Sequence, residues 1–582
     1  MRKSWWCRFL NKQGYPLLFA VIVFLAFLLR AWQVSSNPPG LYWDELSLGY
    51  DAWSVATTGR DHHGNSLSLL SFESYGDHKP SGYIYTLVPF FWIFGKHDWV
   101  IRAPSVLAGV AIVVAVGQLT AWFLDDQAKS RSLSQRRTWT LIAMVIAAIT
   151  PSLWHLSRVG FETNLATAYL LWAMLLLLPL INAPAAAAKL TWRLPVATVL
   201  FLASFLTYHS MRFVAPLLAL FLIAIVLWRQ RRHFFTFVKQ NLPAVIITST
   251  ILALFLGTVF YQWQGNEFSA RFQTENIFTQ PEYVLASNQC YQLNVNNVFA
   301  SLLCHRFFYY MAAIAANFSA HFNLDYLFIS GESNLRHSPG LFGVYYLTDC
   351  LPLLAGGLFL WRQRRNQLGR FKIVFILFWL IIGLLPAAMT TTTPHLLRSF
   401  NLMPLGVVVI VCAWQLIWTS LSVRFAKFKA LLVIVFSALY IVQAWLFLAY
   451  YSNYYRVVSE AEWQASYPAI IAAVSALEQE HPGVPVYIDR QLGRASMYYF
   501  WYAAVPPAEV QTRANQEAFD QGEFLSYRHI NFIAPQKSGE QILAISAQHR
   551  TDPELPTSIL CRDDFEIKNS FGKTVFYIEF CH

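Results

Sequence analysis

One pattern repeats along this chain and limits what it can fold into. A largely apolar stretch of about 20 residues, the length needed to cross a bilayer, gives way to a short polar loop, and the pattern then starts again. Eleven such stretches are expected as membrane-spanning helices. They run roughly over 15–34, 104–124, 139–157, 164–181, 193–209, 213–228, 243–261, 340–361, 373–389, 402–420 and 430–451. Only 13% of residues are charged while 56% are hydrophobic, against about a quarter charged in a soluble domain. A soluble globule could not cover that much apolar surface.

The loops supply the orientation. "KSRSLSQRR", "RQRRHFFTFVK", "RQRRNQLGRFK" and "RFAKFK" fall in alternate loops, while the loops between them are poor in Lys and Arg for their length. Cytoplasmic loops concentrate positive charge, so these sequences read as cytoplasmic. The N-terminus is then cytoplasmic, and an odd number of crossings leaves the C-terminus outside. The net charge of +11 is spent on this asymmetry and does not indicate nucleic acid. Met1 to Lys12 is basic and precedes the first apolar stretch, as in a signal peptide. No small-x-small cleavage site follows, so an uncleaved first helix is expected.

"SGYIYTLVPFFWIFG", residues 81 to 95, is apolar but short. Counting it as a crossing would place the basic loop 125–138 outside, so it reads as a juxtamembrane helix on the outer face. Two long outer loops result, about 35–103 and 262–339. From about Asn453 the composition becomes that of a soluble protein. "SEAEWQASYPAIIAAVSALEQEHPG" has helical periodicity, and "VPVYID", "HINFIA", "ILAISA" and "KTVFYIEF" read as strands. The expected division is a transmembrane domain over 1–452 and a small extracytoplasmic α/β domain over 453–582.

Of seven cysteines, Cys290, Cys304, Cys561 and Cys581 fall on the outer side. Cys7 falls inside, and Cys350 and Cys412 lie within spans. An even outer set permits Cys290–Cys304 and Cys561–Cys581 disulfides in an oxidising compartment, free thiols being the alternative. No CxxC occurs, which argues against a thiolate zinc site.

Polar groups gather where the helices leave the membrane on the outer side. Asp44, Glu45, Asp77, His78, Lys79 and Arg102 lie in or beside the first loop. Arg158, Glu162, His209, Arg212, Arg336, His337, His395 and Arg398 lie near other outer ends. A cavity rimmed by a few carboxylates and many cations suits an anionic head group on a membrane-anchored substrate. Any one of these residues could simply snorkel to water. The adjacent carboxylates Asp44 and Glu45 could cap the helix that follows, but capping accounts for one of them better than for both. "GRDHHGN" reads as a polar loop rather than a metal site, because adjacent histidines on regular structure point apart. No glycine-rich phosphate loop or dinucleotide fingerprint occurs, which disfavours a nucleotide-sugar donor.

"WDELSLGYDAW", "YGDHKPSGYIYTLVPFFWIFG" and "HDWVIRAPSVLAG" together resemble the first-loop signature of bacterial polyprenyl-phosphate-sugar-dependent glycosyltransferases. These are the protein O-mannosyltransferase-like group, glycosyltransferase family 39, with the GT-C fold. "HLSRVGFETNLA", "LTYHSMRFVAPL", "SNLRHSPGLFGVYYL" and "LLPAAMTTTTPHLLRSFNLMPLG" resemble later family segments in the usual order. The chain departs in having a single proline at Lys79-Pro80, where lipid A aminoarabinose transferases tend to have two.

The resemblance implies a polytopic α-helical GT-C-like membrane protein of about 11 transmembrane helices in the cytoplasmic membrane. It implies inverting transfer of a sugar from a polyprenyl-phosphate donor to a hydroxyl on a protein, lipid or envelope glycan. Asp44 matches the catalytic base, Glu45 its supporting acid and Lys79 the phosphate-binding position. Arg102 resembles the arginine near the loop junction. Glu162 is expected as a second acid facing Asp44, and Arg398 with His395 as a phosphate contact from the other side. No cofactor is called for, a divalent cation being allowed but not indicated. The competing readings are a transporter or flippase of lipid-linked glycans, which would favour charges near the membrane midplane, and a noncatalytic receptor.

Overall fold

The computed structural model describes residues 14–581 apart from 67, 75, 126–132, 183–191, 232–233, 263–274, 295–297, 365–366, 422–425, 491–492, 514–518, 521, 534–541 and 547–560. The basic residues 1–12, Cys7 and much of the loops 125–138 and 182–192 lie outside the described residues.

Among the described residues, eight helices are long and apolar enough to cross a membrane: Gly14–Ala31, Asp98–Phe123, Glu162–Ile181, Met211–Gln230, Leu242–Gln262, Leu368–Ala388, Leu396–Ser420 and Lys427–Val458. On these helices the chain is a multi-pass membrane protein. In hydrocarbon every backbone N–H and C=O must be satisfied within the segment, and a helix does this. Apolar side chains such as Leu254, Ile434 and Trp445 are exposed, as expected of surfaces that lipid tails cover.

The three other expected spans are helical but shorter: Leu133–Ile149 with 17 residues, Arg193–Thr207 with 15 and Cys350–Gln363 with 14. At 1.5 Å per residue these reach about 21–26 Å, less than the ~30 Å hydrocarbon core. Leu133–Ile149 stops at Thr150-Pro151, where proline disfavours helix in the residue before it. The expected span over 340–361 fails in its first third. Gly340 has φ 91°, in the left-handed region. A Cβ on Gly343 would fall 2.4 Å from the Phe328 backbone nitrogen. Val344 and Tyr345 instead donate to the carbonyls of Tyr326 and Leu327. The glycines and Pro339 make this a close-packed irregular segment.

The chain forms two compact units, one of residues 1–32, 105–158 and 162–448, the other of 33–104, 159–161 and 449–582. The first is the helical unit. The second does not follow the expected cut at 452/453, because the first outer loop belongs with the C-terminal residues. Tyr50 Oη donates to the Val505 carbonyl at 3.1 Å, Lys96 Nζ to that of Trp501 at 2.6 Å, and Tyr498 Oη to that of Leu41 at 2.6 Å.

Within this second unit, the first-loop part holds helix Trp43–Thr58, the antiparallel hairpin Ser71–Ser74/Asp77–Pro80 and helix Ser81–Phe94. The C-terminal part holds helix Tyr467–Glu480 and a six-stranded sheet. Its order is Ser526–Tyr527, Ile530–Asn531, Val486–Ile488, Ile542–Ser546, Thr574–Cys581, Cys561–Lys568. Val486–Ile488 runs parallel to both of its neighbours, and the remaining pairs are antiparallel. All four strands read from sequence are present.

Cys290 and Cys304 form a disulfide, with Cα atoms 5.4 Å apart. Cys561 and Cys581 are register partners in the sheet, and their side chains lie outside the described ones. The Cys290–Cys304 bond joins residues 14 positions apart, and closing so short a loop stabilises by about 3 kcal/mol. Cys290→Ser should therefore speed proteolysis within 281–320, measured by limited digestion. Labelling of Cys290 or Cys304 in the untreated wild-type protein by a thiol reagent would contradict the bond.

Candidate active site

The neighbouring carboxylates of the first loop take different environments. Glu45 is the third residue of helix Trp43–Thr58, where a glutamate can reach back to the residue before the helix. Its Oε2 accepts the Tyr42 N–H at 3.1 Å and Arg102 Nη2 at 2.9 Å. Its Oε1 accepts Arg102 Nε at 2.9 Å and the Gly160 N–H at 2.5 Å. The side chain is fully buried and all four acceptor positions of the carboxylate are taken.

Arg102 is equally committed. Besides its two bonds to Glu45, Nη1 donates to the carbonyls of Val34 at 2.8 Å and Pro38 at 3.0 Å, and Nη2 to that of Gly40. The five donors of a guanidinium meet five acceptors. The Trp463 ring covers the group at 5.6 Å. Gly160 is needed where it stands, since a Cβ there would lie 3.2 Å from Glu45 Oε1 and 3.3 Å from Ile101 Cγ2. Glu45, expected as a supporting acid, is enclosed, and the donors of Arg102, a candidate contact for an anionic head group, are already engaged. Together they tie the 34–40 segment and residue 160 to the start of the helix that carries Asp44.

Asp44 is different. Its side chain is 28% exposed, and its Oδ1 lies 2.5 Å from Lys79 Nζ. Lys79 is 5% exposed at its side chain and sits on strand Asp77–Pro80 opposite Phe72. A hairpin register thus sets the lysine, and a capped helix start sets the aspartate. Asp77 and His78 precede Lys79 on the same strand, both half-buried, with Asp77 Oδ1 accepting the His78 N–H at 2.8 Å. Pro80 ends the strand, and helix Ser81–Phe94 follows at once.

Two turns along the same helix, buried Asp51 accepts from His62 through Nδ1 at 2.6 Å and through the backbone N–H at 3.2 Å. Burial is the largest single influence and disfavours charge on His62, but Asp51, Asp61 and Glu73 together outweigh it and the pKa is raised. Burial and the neighbouring His62 push His63 down to about 2. The two rings do not point apart as expected. Their centroids lie 3.9 Å apart, because they sit in a turn rather than on regular structure.

The other candidates belong to the helical unit. Arg158 is buried and donates to the carbonyls of Leu29 at 3.1 Å and Arg30 at 2.9 Å. It also lies over the Trp154 ring at 4.6 Å. It therefore caps the C-terminal end of helix Gly14–Ala31, where a cation is favoured. Glu162 is buried at the head of helix Glu162–Asn182, the end that favours an anion. Arg212 is half-buried in the first turn of helix Met211–Gln230. Arg398 pairs with Glu275 and donates to Thr392 Oγ1 at 3.3 Å.

His337, His395 and Glu332 form one cluster, with the two rings stacked at 5.0 Å and His337 Nδ1 2.6 Å from Glu332 Oε1. Sequence reasoning missed Glu332 and Glu275. The usable signal for Glu332 was a carboxylate in an outer loop, five residues before His337, in a chain with only 32 acidic residues.

No protein-family model matches the chain, and no curated protein matches it. Among solved structures it is similar to ArnT from Cupriavidus metallidurans bound to undecaprenyl phosphate, with 12% identity over 98% of each chain and a TM-score of 0.47. It is also similar to the archaeal oligosaccharyltransferase AglB from Archaeoglobus fulgidus in complex with an inhibitory peptide and a dolichol-phosphate. That likeness has 12% identity over 87% of this chain and 64% of that one, with a TM-score of 0.43.

Proposed function

We propose that this protein is an inverting glycosyltransferase. In this reading it moves a sugar from a polyprenyl-phosphate donor to a hydroxyl acceptor at the outer face of the cytoplasmic membrane. The carrying observation is the Asp44–Lys79 pair, a partly exposed carboxylate against a nearly buried ammonium. The acceptor hydroxyl attacks the anomeric carbon while the bond from that carbon to the phosphate oxygen breaks. Asp44 takes the hydroxyl proton as general base. The electron pair leaves on the polyprenyl phosphate, whose growing charge Lys79 stabilises. When the donor phosphate shares Lys79, the hold of the lysine on Asp44 loosens, and the carboxylate turns to the acceptor.

No protein nucleophile is required. Glu45 and Arg102 act as positioning residues that fix the helix start. Glu162 as a second acid, and Arg212, Arg336 and Arg398 as further anion contacts, rest on the resemblance of their segments. The acceptor is a protein, a lipid or an envelope glycan. The basic loops support a cytoplasmic N-terminus and an outer C-terminal region.

Lys79→Ala is the direct test of the phosphate role. The purified variant should bind polyprenyl phosphate at least 10-fold more weakly, since a charge-assisted contact is removed. Arg398→Ala should lose less, because Glu275 already engages that guanidinium. Unchanged polyprenyl phosphate binding by folded Lys79→Ala protein would remove Lys79 from the site.

A further inference from the structure

The cluster in the helical unit has a donor set with no step in the proposed transfer reaction, although the resemblance made His395 a phosphate contact. One ligating atom each from Glu332, His337 and His395 lies within 4.8 Å of the others. We propose that these three side chains bind a divalent transition-metal ion, zinc foremost. Two imidazoles and one carboxylate are a zinc donor set, and they leave a fourth position open to water or an anionic oxygen. Two nitrogen ligands disfavour magnesium and calcium, which prefer oxygen.

Glu332 has an outer partner of the kind that orients metal ligands, and the backbone beside both histidines is pinned. The Leu396 N–H donates to Glu332 Oε2 at 2.7 Å, which leaves Oε1 turned to the histidines. The His395 backbone N–H donates to His321 Nε2 at 3.1 Å, and His321 Nδ1 donates to the Asn317 carbonyl at 2.9 Å. That network sets the His321 tautomer and makes it a support rather than a ligand. His155 Nε2 donates to the Arg336 carbonyl at 3.0 Å, pinning the residue before His337. These bonds fix the Glu332 carboxylate and the backbone that carries His337 and His395.

A Glu–His hydrogen bond would need only Glu332 and His337, 2.6 Å apart. It gives no reason for a second imidazole stacked on the first. A metal ion does. It replaces the proton between Glu332 and His337, the pair opens slightly to accept bonds of about 2.0–2.2 Å, and His395 supplies the third ligand. The released proton goes to solvent, as in metal binding generally.

The test uses the full-length protein in detergent, with any affinity tag removed. It is stripped with a chelator, exposed to zinc chloride and desalted, and its metal is counted by mass spectrometry. The wild type should retain about one zinc per chain. His337→Ala/His395→Ala protein should retain less than a tenth of that, and Glu332→Gln an intermediate amount. Zinc should raise the melting midpoint of the stripped wild type and leave that of the double variant unchanged, with both melting alike in chelator. His62→Ala/His63→Ala protein should keep its zinc. Zinc-free wild type, or retention by the double variant, would overturn the proposal. So would loss of zinc from the His62/His63 variant alone. None of these readings depends on sugar transfer.

Discussion

If the proposed transfer reaction is right, Asp44→Asn protein should lose roughly 10²- to 10⁴-fold in sugar transfer, the loss typical of a missing general base, while staying folded and still binding polyprenyl phosphate. The amide keeps the size of the side chain and an oxygen that accepts from Lys79, so the 2.5 Å contact is weakened rather than emptied. The stability cost should be about 1 kcal/mol, that of one altered hydrogen bond. Asp44→Ala would remove the acceptor as well, and adds a structural loss that blurs the result. Turnover of folded Asp44→Asn protein within a few-fold of wild type would take Asp44 out of the base role and move that role to Glu162.

Arg102→Ala has the opposite signature. It strands a fully buried Glu45 carboxylate and deprives three loop carbonyls of their donor. Breaking a buried ion pair from one side costs about 3–5 kcal/mol. The variant should be lost to aggregation or degradation, read as loss of the monodisperse peak in size-exclusion chromatography. Arg102→Lys should rescue poorly, because an ammonium has three donors where five are used. A well-folded Arg102→Ala protein that had lost only polyprenyl phosphate binding would restore Arg102 as a phosphate ligand and refute the structural role.

This separates the two adjacent carboxylates. Glu45 is buried and held by Arg102, while Asp44 stays partly exposed against Lys79 and is the one proposed for chemistry. Sequence marks both but cannot rank them, because the partners of Arg102 are the backbone carbonyls of Val34, Pro38 and Gly40 and the Glu45 carboxylate. Carbonyls leave no trace in side-chain pattern. The spans are legible because lipid imposes a local rule of about 20 apolar residues. Where the rule is broken by Pro339, Gly340 and Gly343, the apolar composition misled. The joining of 33–104 with 449–582 is illegible for a different reason. Contacts such as Tyr498 to Leu41 link residues 457 positions apart, and no local periodicity encodes them. Glu332 was passed over because nothing in the sequence says that it meets His395.

Mass spectrometry of lipid-linked sugars and envelope glycans from three strains, carrying wild-type protein, Asp44→Asn protein or none, decides whether the protein transfers a sugar and needs Asp44 to do so. One glycan species should lose a single sugar in both mutant strains, while its polyprenyl-phosphate-linked donor accumulates. A glycan profile unchanged in the strain lacking the protein, or restored in full by Asp44→Asn, would contradict this reading.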